Sequence, residues 1–301
     1  MEHRFSPSSY HNSFGSHEPV LTIAPGDRVI TSTADAFGNG REGDPVATRG
    51  NPLTGPFLIE GAEPGDQLAV HLERIVPNRD HGFTISSIAP HIVDGDFVSD
   101  LPPREVMRWS VDLGAGHAIL TDDAATPSEL RVPLAPMLGC IGVAPDRGQA
   151  ISTATSGPYG GNMDYRYVAP GATVLLPVFT QGALFFVGDG HAAQGEGEIV
   201  GTGIEISMDV AFTVELRKGV RTRWPRMETA THLIALGNAR PLDQALQHAT
   251  TELVRWLTAD HGYDTRGATH LFGQALEYDI GNVFDPAYTV AAKIARTHLA
   301  G

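Results

Sequence analysis

Short apolar segments, each closed by a turn, dominate the chain up to about residue 225. Residues 20–23 run into the turn 25–27 and are followed by the β-branched segment 28–33, and the same order recurs around the turn 64–66. In each turn a proline fixes φ, a glycine supplies a permissive backbone and an aspartate can accept from turn amides. A third Pro-Gly turn, at 170–171, also precedes a β-branched segment. The pattern predicts a β-sandwich core and is compatible with a duplicated unit.

The pattern becomes helical only after Pro225. Apolar positions recur at spacings of three and four over residues 242–257, directly after Pro241, which could occupy a first helical position. Two further helices are predicted over residues 268–276 and 286–300. We expect all three helices to be packing elements without chemistry.

The predicted fold class is therefore β-rich α+β. Residues 1–225 are expected to form β-sandwich-like domains, and residues 226–301 a helical C-terminal portion packed on that core. The 34 glycines and 21 prolines among 301 residues fit many strands joined by turns.

Charge and cysteine content exclude several classes of function. The formal net charge of -14 creates a field that repels phosphate backbones and anionic lipids, so we expect no nucleic-acid or membrane partner. No apolar run approaches the ~20 residues needed to span a bilayer, and the start lacks a signal pattern, so a cytoplasmic protein is expected. Cys140 is the single cysteine, which excludes an intrachain disulfide and a cysteine-based zinc cluster. Its apolar surroundings indicate a packed thiol.

The densest candidate chemistry follows the apolar run 184–186. Residues 187–198 (VGDGHAAQGEGE) are predicted to open into a Gly-rich loop with Asp, His, Gln and two Glu. Asp189 and His191 are two residues apart, so they share a face if the segment is extended. A carboxylate oxygen and an imidazole on one face would form half of a zinc site. The alternative is a solvated turn whose carboxylates bind only backbone amides.

Other candidate residues lie outside this segment. Glu205 alternates with isoleucines in a predicted strand over residues 201–208. It would be a general base if its face lines a pocket, and an exposed strand carboxylate otherwise. Asp35 precedes a Gly-rich turn, and Asn162 and Asp164 follow a double glycine, where Asx capping is the alternative explanation.

Several motifs together resemble one known family. Residues 188–198 (GDGHAAQGEGE) and 201–205 (GTGIE) resemble the signature of the acetamidase/formamidase family, and agreement extends to 136–145 (PMLGCIGVAP), 160–164 (GGNMD), 176–184 (LPVFTQGAL), 19–27 and the Asp35 turn. The resemblance spans roughly residues 11–215. It implies hydrolysis of small aliphatic amides to a carboxylate and ammonia, a β-rich fold, and a homodimer or higher homo-oligomer.

The resemblance also implies roles for individual residues. The implied metal-site candidates are Asp35, Asp189 and His191. Those implied to line the pocket are Asn162, Asp164, Gln194, Glu196, Glu198 and Glu205. A divalent ion, zinc first and calcium or manganese as alternatives, would polarise the amide carbonyl. Glu205 or Glu198 would act as the base, and Asn162 or Gln194 would bind the amide NH2 or the developing oxyanion.

Two alternatives stay open at this point. Within the same family, the substrate could be a larger or cyclic amide such as a γ-lactam. From another class, the chain could be a non-catalytic β-sandwich that binds a metal or a small ligand. Spacing selects no histidine in the N-terminal and middle regions as a third or fourth metal ligand.

Overall fold

The computed structural model describes residues 1–122 and 129–299, and this part of the chain is mostly β-sheet. The first strands are β1 (Glu2–Arg4), β2 (Ser13–Phe14), β3 (Leu21–Ile23), β4 (Arg28–Ser32), β5 (Leu53–Ile59), β6 (Gln67–Pro77), β7 (His81–Ile85), β8 (Val106–Asp112), β9 (His117–Leu120), β10 (Arg131–Pro133) and β11 (Met137–Val143). The later strands are β12 (Ile151–Ser152), β13 (Ser156–Gly157), β14 (Gly160–Asn162), β15 (Thr173–Pro177), β16 (Phe185–His191), β17 (Met208–Arg217), β18 (Arg226–Glu228), β19 (His232–Ala239), β20 (Glu277–Asn282) and β21 (Tyr288–Ala295). The α-helices are α1 (Leu242–Asp260) and α2 (Thr265–Ala275). The predicted β-rich α+β class is confirmed.

Two large sheets form the body of the protein. The larger has the strand order β1-β4-β17-β6-β15-β18-β19-β21-β20, and the smaller has the order β13-β14-β11-β16-β5-β3. Two minor sheets, β10-β9-β8-β7 and β12-β2, lie beside them. Most pairings are antiparallel, which suits the short turns of the sequence.

The two large sheets share one apolar core. The ring of Phe212 on β17 lies 5.5 Å from that of Phe57 on β5 and 5.3 Å from that of Phe185 on β16. All three side chains are fully buried. Aromatic contacts of this kind across facing sheets give the sandwich-like arrangement that the sequence predicts.

The Pro-Gly turns adopt the predicted geometry. Asp27 and Asp66 each accept a hydrogen bond from the backbone N–H three residues earlier, at 3.0 and 2.9 Å. The glycine before each aspartate has a left-handed backbone, with φ of +90° at Gly26 and +95° at Gly65. These turns lead directly into β4 and β6, the strands that flank β17.

The two predicted helices near residue 250 and residue 270 are present. Helix α1 begins after Pro241, which caps it rather than occupying its first turn, and its apolar stripe packs on the outer face of the larger sheet. Helix α2 begins three residues before the predicted start at residue 268. Among the described residues, no helix is both long enough and apolar enough to cross a membrane.

The third predicted helix, over residues 286–300, is wrong. Strand β21 and a short 3-10 helix, Arg296–His298, occupy this segment, and Ala300 lies outside the described residues. Ala291 faces the core between the sheets, whereas Val290 and Ala292 pack with α1 on the other face. A strand that is buried on both faces lacks polar alternation, so its apolar run resembles a helical pattern.

The predicted boundary at residue 225 falls inside the larger sheet. Strand β15, from residues 1–225, pairs with β18, from residues 226–301, with Thr173 opposite Glu228. The C-terminal portion thus contributes four strands as well as two helices. The division of the chain into these two domains stays a prediction.

Candidate active site

Strand β16 supplies two of the predicted metal ligands. The strand continues through His191, four residues beyond the start of the predicted loop at 187, and it is buried between β11 and β5. Asp189 and His191 lie two residues apart on it, and their side chains converge, with His191 Nε2 3.6 Å from Asp189 Oδ1. The hypothesis of a solvated turn is therefore wrong for these two side chains, which are 2% and 0% exposed.

Glu205 reaches the same point from a different segment. Residues 201–207 do not form the predicted strand. Instead, Glu205 makes single β-bridges to Phe83 and to His191. Its Oε1 lies 3.0 Å from His191 Nε2 and accepts a hydrogen bond from Gly203 N at 3.1 Å. A Cβ at Gly203 would lie 2.5 Å from His191 Cγ, so only glycine permits this close approach.

Gln194 determines which nitrogen of His191 faces the site. The Gln194 Nε2 donates to the backbone carbonyl of Asp164 at 2.6 Å, which fixes the orientation of the amide. Gln194 Oε1 therefore accepts from His191 Nδ1, at 2.8 Å. Because Nδ1 carries the hydrogen, Nε2 presents its lone pair toward Asp189 and Glu205 when the ring is neutral.

Within the described part of the chain, four polar atoms in this region are buried without a hydrogen-bond partner when His191 is neutral. They are Asp164 Oδ1, Asp189 Oδ1, His191 Nε2 and Glu205 Oε2. An unsatisfied buried polar atom costs about 1–3 kcal/mol, so four of them together make this position suited to a ligand or an ion. Ligand atoms of two triads, Asp189–His191–Glu205 and Asp164–His191–Glu198, each lie within 4.8 Å of one another.

A second group of carboxylates lies beside the first. Asn282 Nδ2 donates to Asp164 Oδ2 at 3.0 Å and to Asp285 Oδ2 at 3.1 Å. Asn162 Nδ2 donates to the same Asp285 oxygen at 2.6 Å. Glu198 is buried with this group, and within the described chain no arginine or lysine pairs with any of these carboxylates.

Burial changes the protonation of the carboxyl groups. It raises the pKa of Glu205 and of Asp285 to about 7, and it raises the pKa values of Asp164 and Glu198 well above their ordinary range. Neighbouring carboxylates add to the effect at Asp164 and Glu198. The site therefore takes up positive charge, as protons or as a cation.

His191 responds in the opposite direction to its burial. Desolvation alone would lower the pKa of His191, but the negative charges of Glu205 and Asp189 outweigh it and raise the pKa well above its ordinary value. A proton on Nε2 thus takes the position that a cation between His191 and the two carboxylates would take.

The backbone of the site is unusually constrained. Of the non-glycine residues with left-handed φ, four line this region, namely Asn51 (+53°), Asp164 (+44°), Asp189 (+58°) and Glu198 (+46°). Opposite them, a Cβ at Gly139 would lie 2.2 Å from Asp164 Oδ1. Such backbone strain concentrates at functional sites, where the surrounding fold imposes it.

Two sequence-predicted residues lie outside the cluster. Asp35 is buried, but Arg79 Nη2 lies 2.6 Å from its Oδ2, and Asn39 donates to both of its oxygens. Both carboxylate oxygens of Asp35 therefore already have hydrogen-bond partners, and Asp35 joins neither triad of ligand atoms. Glu196 is exposed and joins neither triad of ligand atoms. The other predicted residues, Asn162, Asp164, Asp189, His191, Gln194, Glu198 and Glu205, come together.

Three residues of the site have no counterpart among the sequence-predicted candidates. Asn51 donates to Asp189, while Asn282 and Asp285 contact Asp164 and Asn162. Asn282 and Asp285 lie between two predicted helices, just before the segment wrongly predicted as a helix. The Asn-x-x-Asp spacing at a turn was the available local signal.

Comparison with known proteins places these residues in a family context. The model of the acetamidase/formamidase family matches residues 6–153 and 147–291. The crystal structure of acetamidase from Yersinia enterocolitica is 34% identical with a TM-score of 0.85, and the alignment covers 100% of this chain and 94% of that chain. The structure of a predicted acetamidase/formamidase from Thermoanaerobacter tengcongensis is 28% identical with a TM-score of 0.86, covering 99% and 96%.

Curated relatives match over a shorter length. An acetamidase from Mycolicibacterium smegmatis is 30% identical over 217 residues, which is 56% of this chain and 53% of that protein. A putative formamidase from Schizosaccharomyces pombe is 25% identical over 57% of this chain and 53% of that protein. The chain spans about half the length of these curated relatives.

Proposed function

The chain belongs to the acetamidase/formamidase family, and from that premise we propose that it is a metal-dependent amidohydrolase. Its proposed substrates are small neutral aliphatic amides of the formamide and acetamide type, cleaved to a carboxylate and ammonia. The observation that carries this proposal is the set of four unpartnered buried atoms on Asp164, Asp189, His191 and Glu205. A homodimer or higher homo-oligomer stays a prediction.

The donor set supports a divalent ion as the cofactor. Asp189 Oδ1 and His191 Nε2 lack hydrogen-bond partners, and Gln194 leaves the Nε2 lone pair facing Asp189. An imidazole donor together with carboxylates favours zinc or manganese over calcium, whose ligands are oxygen atoms. We assign Asp189 and His191 as ligands and leave out Asp35, because Arg79 and Asn39 already occupy its oxygens. When bound, the ion would polarise the amide carbonyl and help to generate a nucleophile at neutral pH.

Glu205 is the proposed general base. Its Oε2 is unpartnered, and a pKa of about 7 keeps a large fraction ionised at neutral pH while favouring return of the proton. Glu205 would take a proton from the attacking water and deliver it to the amide nitrogen as the carbon–nitrogen bond breaks. Glu198 suits this role less well, because burial and the neighbouring carboxylates raise the pKa of its carboxyl group well above the ordinary value and so disfavour the ionised form that a base needs.

The remaining side chains would orient the substrate. Among the described residues Asn162 Nδ2 donates one hydrogen bond, to Asp285, so its second N–H is available there to a carbonyl oxygen. Gln194, in contrast, has both ends of its amide engaged by His191 and by the backbone of Asp164. We therefore propose that Asn162 contacts substrate and that Gln194 supports His191.

Ammonia release by the purified protein tests the proposal. Formamide, acetamide, propionamide and a small γ-lactam are supplied with and without a chelator, and ammonia and lactam ring opening are measured. Release from the linear amides that stops with chelator and returns with zinc is the expected result. Release that ignores the chelator would overturn the metal dependence alone, whereas ring opening without ammonia release would select the cyclic-amide alternative.

A matched pair of variants tests the base. Glu205→Gln removes the proton acceptor but keeps the shape, and a loss in kcat of about 10²–10⁴ is expected with ion binding retained. Glu196→Gln makes the same substitution at an exposed position outside the cluster and should leave kcat unchanged. Near-full turnover by an ion-loaded Glu205→Gln protein would contradict the assignment.

A further inference from the structure

We propose that Asn51 is a positioning residue, one that fixes the carboxylate of Asp189 so that Oδ1 stays free to bind the ion. This inference rests on the ion site proposed above. Asn51 contacts the site from a segment far in sequence from the motif at residues 188–198, and it lies 138 positions from Asp189 in the chain.

The contacts of Asn51 make the two carboxylate oxygens of Asp189 unequal. Asn51 Nδ2 donates to Asp189 Oδ2 at 3.2 Å and to Asn162 Oδ1 at 3.1 Å. Among the described residues, Asp189 Oδ2 receives its side-chain hydrogen bond from Asn51, whereas Oδ1 receives none. The carboxamide thus holds one oxygen and leaves the other facing His191 Nε2.

Asn51 is itself held from outside the site. Asn12 Nδ2 lies 2.9 Å from the carbonyl oxygen of Arg49 and 3.0 Å from that of Gly50. Thr153 Oγ1 donates to the Gly50 carbonyl at 2.7 Å, and Asn51 N donates to Ala36 O at 3.2 Å. The backbone of this segment is therefore held on two sides by contacts that do not involve Asp189.

The conformation of Asn51 suits this role. Its φ of +53° lies in the left-handed region, which asparagine tolerates better than most residues. It is half-buried, whereas Asp189, His191 and Glu205 are buried, so Asn51 forms the outer side of the ligand cluster. A residue there can be replaced without opening a cavity in the core.

Removal of the side chain should weaken ion binding without unfolding the protein. Groups that orient metal ligands typically contribute about 10–100-fold to metal affinity. Asn51→Gly keeps the left-handed backbone accessible, because glycine has no steric penalty there, and it deletes both donor contacts. We expect the zinc dissociation constant to rise by about 10–100-fold, with kcat falling once the variant is saturated with zinc.

The experiment compares Asn51→Gly with Arg147→Gly. Arg147 also has a left-handed φ, +60°, but it is exposed and remote from the cluster, so this control makes the same backbone change elsewhere. Zinc affinity of the ion-free proteins is measured by competition with a chelating dye. The visible absorption of the cobalt-loaded proteins reports the geometry around the ion.

The outcomes separate this inference from the proposed function. Weaker zinc binding and a changed cobalt spectrum in Asn51→Gly, with both unchanged in Arg147→Gly, support the positioning role. Equal zinc affinity and identical cobalt spectra in wild type and Asn51→Gly would overturn that role while leaving the ion site intact. Failure of the wild-type protein to bind zinc or cobalt would instead overturn the ion site and this inference with it.

Discussion

Gln194 Oε1 accepts a hydrogen bond from His191 Nδ1 at 2.8 Å, and this contact is fully buried. The Gln194 amide cannot turn over without losing its hydrogen bond to the Asp164 carbonyl oxygen, 2.6 Å from Nε2. The Gln194 side chain therefore links His191 to the backbone of Asp164, and the position of that backbone determines which nitrogen of His191 carries the hydrogen. Outer contacts of this kind orient metal-binding histidines and raise their basicity.

Substitutions at Gln194 should separate the effect of its hydrogen-bond acceptor from the effect of its side-chain volume. Gln194→Met removes the acceptor at similar volume, so we expect zinc affinity and kcat/KM to fall by about 10–100-fold. Gln194→Glu keeps an oxygen acceptor for His191 Nδ1 and should retain more zinc affinity than Gln194→Met. Zinc titration of the ion-free variants and initial rates of ammonia release provide the measurements.

Nitrogen NMR of the ion-free protein supplies a control for this prediction. In wild type at a pH where the ring is neutral, the His191 hydrogen should lie on Nδ1, with the resonance identified by its absence in His191→Gln. If Gln194→Met left this tautomer and the zinc affinity unchanged, the positioning role of Gln194 would be excluded.

Because Gly139 has no side chain, the carboxylates of Asp164 and Asp189 can both approach its Cα. A Cβ there would lie 2.2 Å from Asp164 Oδ1 and 2.6 Å from Asp189 Oδ2. We expect Gly139→Ala to displace these oxygens, to lower the free energy of unfolding by about 1–3 kcal/mol, and to weaken zinc binding. Urea unfolding and zinc titration check the two effects.

Gly195→Ala is the matched control for Gly139→Ala. A Cβ at Gly195 would meet no atom within 4 Å, although the residue lies next to Gln194. Its free energy of unfolding should change by less than about 0.5 kcal/mol. Equal zinc affinity in both alanine variants would show that the carboxylates tolerate the methyl group and that this account of Gly139 is wrong.

The sequence pattern predicts local groups of site residues, whereas contacts between distant segments are harder to foresee. Asp189, His191 and Gln194 lie within one short segment, so their proximity follows from the chain itself, although Asp189 departs from extended strand geometry with a φ of +58°. Asn51 is 138 residues from its partner Asp189, and Asp285 is 123 residues from Asn162. Contacts over such separations depend on which strands pair, and one sequence contains no signal for that choice.

The sequence also contains no sign that both carboxylate oxygens of Asp35 already have hydrogen-bond partners. A buried aspartate before a Gly-rich turn is typical of a metal ligand and of a turn anchor alike. Arg79, 44 residues away, decides between them by placing a guanidinium against the carboxylate. The same limit applies to β21, where burial on both faces depends on the sheet that forms around the strand.

A buried ion pair joins α1 to the larger sheet. Arg226 Nε on β18 lies 2.8 Å from Glu252 Oε1, and the guanidinium lies 5.0 Å from the centre of the Trp256 ring. Burial raises the pKa of Glu252, with Arg226 opposing it. Among the described residues, Arg226→Met leaves the buried Glu252 carboxylate with only the longer ion-pair contact to Arg255, whose Nη1 lies 3.8 Å from Glu252 Oε2, so we expect the free energy of unfolding to fall by about 3 kcal/mol.

A double-mutant cycle isolates this interaction. Replacing both residues, Arg226→Met with Glu252→Leu, removes both buried charges and should recover most of the lost stability. Unfolding in urea gives the free energy for wild type, both single variants and the double variant. Losses that simply add in the double variant would mean that the pair is not coupled.

The stability of the ion-free protein should fall as the pH rises from about 4 to 7. Glu205 and Asp285 have pKa values of about 7 in the folded protein, against ordinary values of 4.5 and 3.8. Between these limits the folded state binds more protons than the unfolded state, so the free energy of unfolding decreases with pH. Each unit of difference corresponds to about 1.4 kcal/mol. His191, whose folded pKa is raised above 6.5, acts in the same direction above that pH.

Calorimetry from pH 5 to 8, with chelator or with saturating zinc, measures this dependence as a change in Tm. Surface carboxylates with lowered pKa values, such as Glu73 and Asp80, add stability only as the pH rises through the acidic range, so they have little effect in this window. Zinc should reverse the slope, because the ion replaces protons and binds more tightly as they leave. Asp285→Asn should flatten the decline without zinc. If the Tm of the ion-free wild type rose steadily from pH 5 to 8, the buried carboxyl groups would not be protonated as the geometry requires.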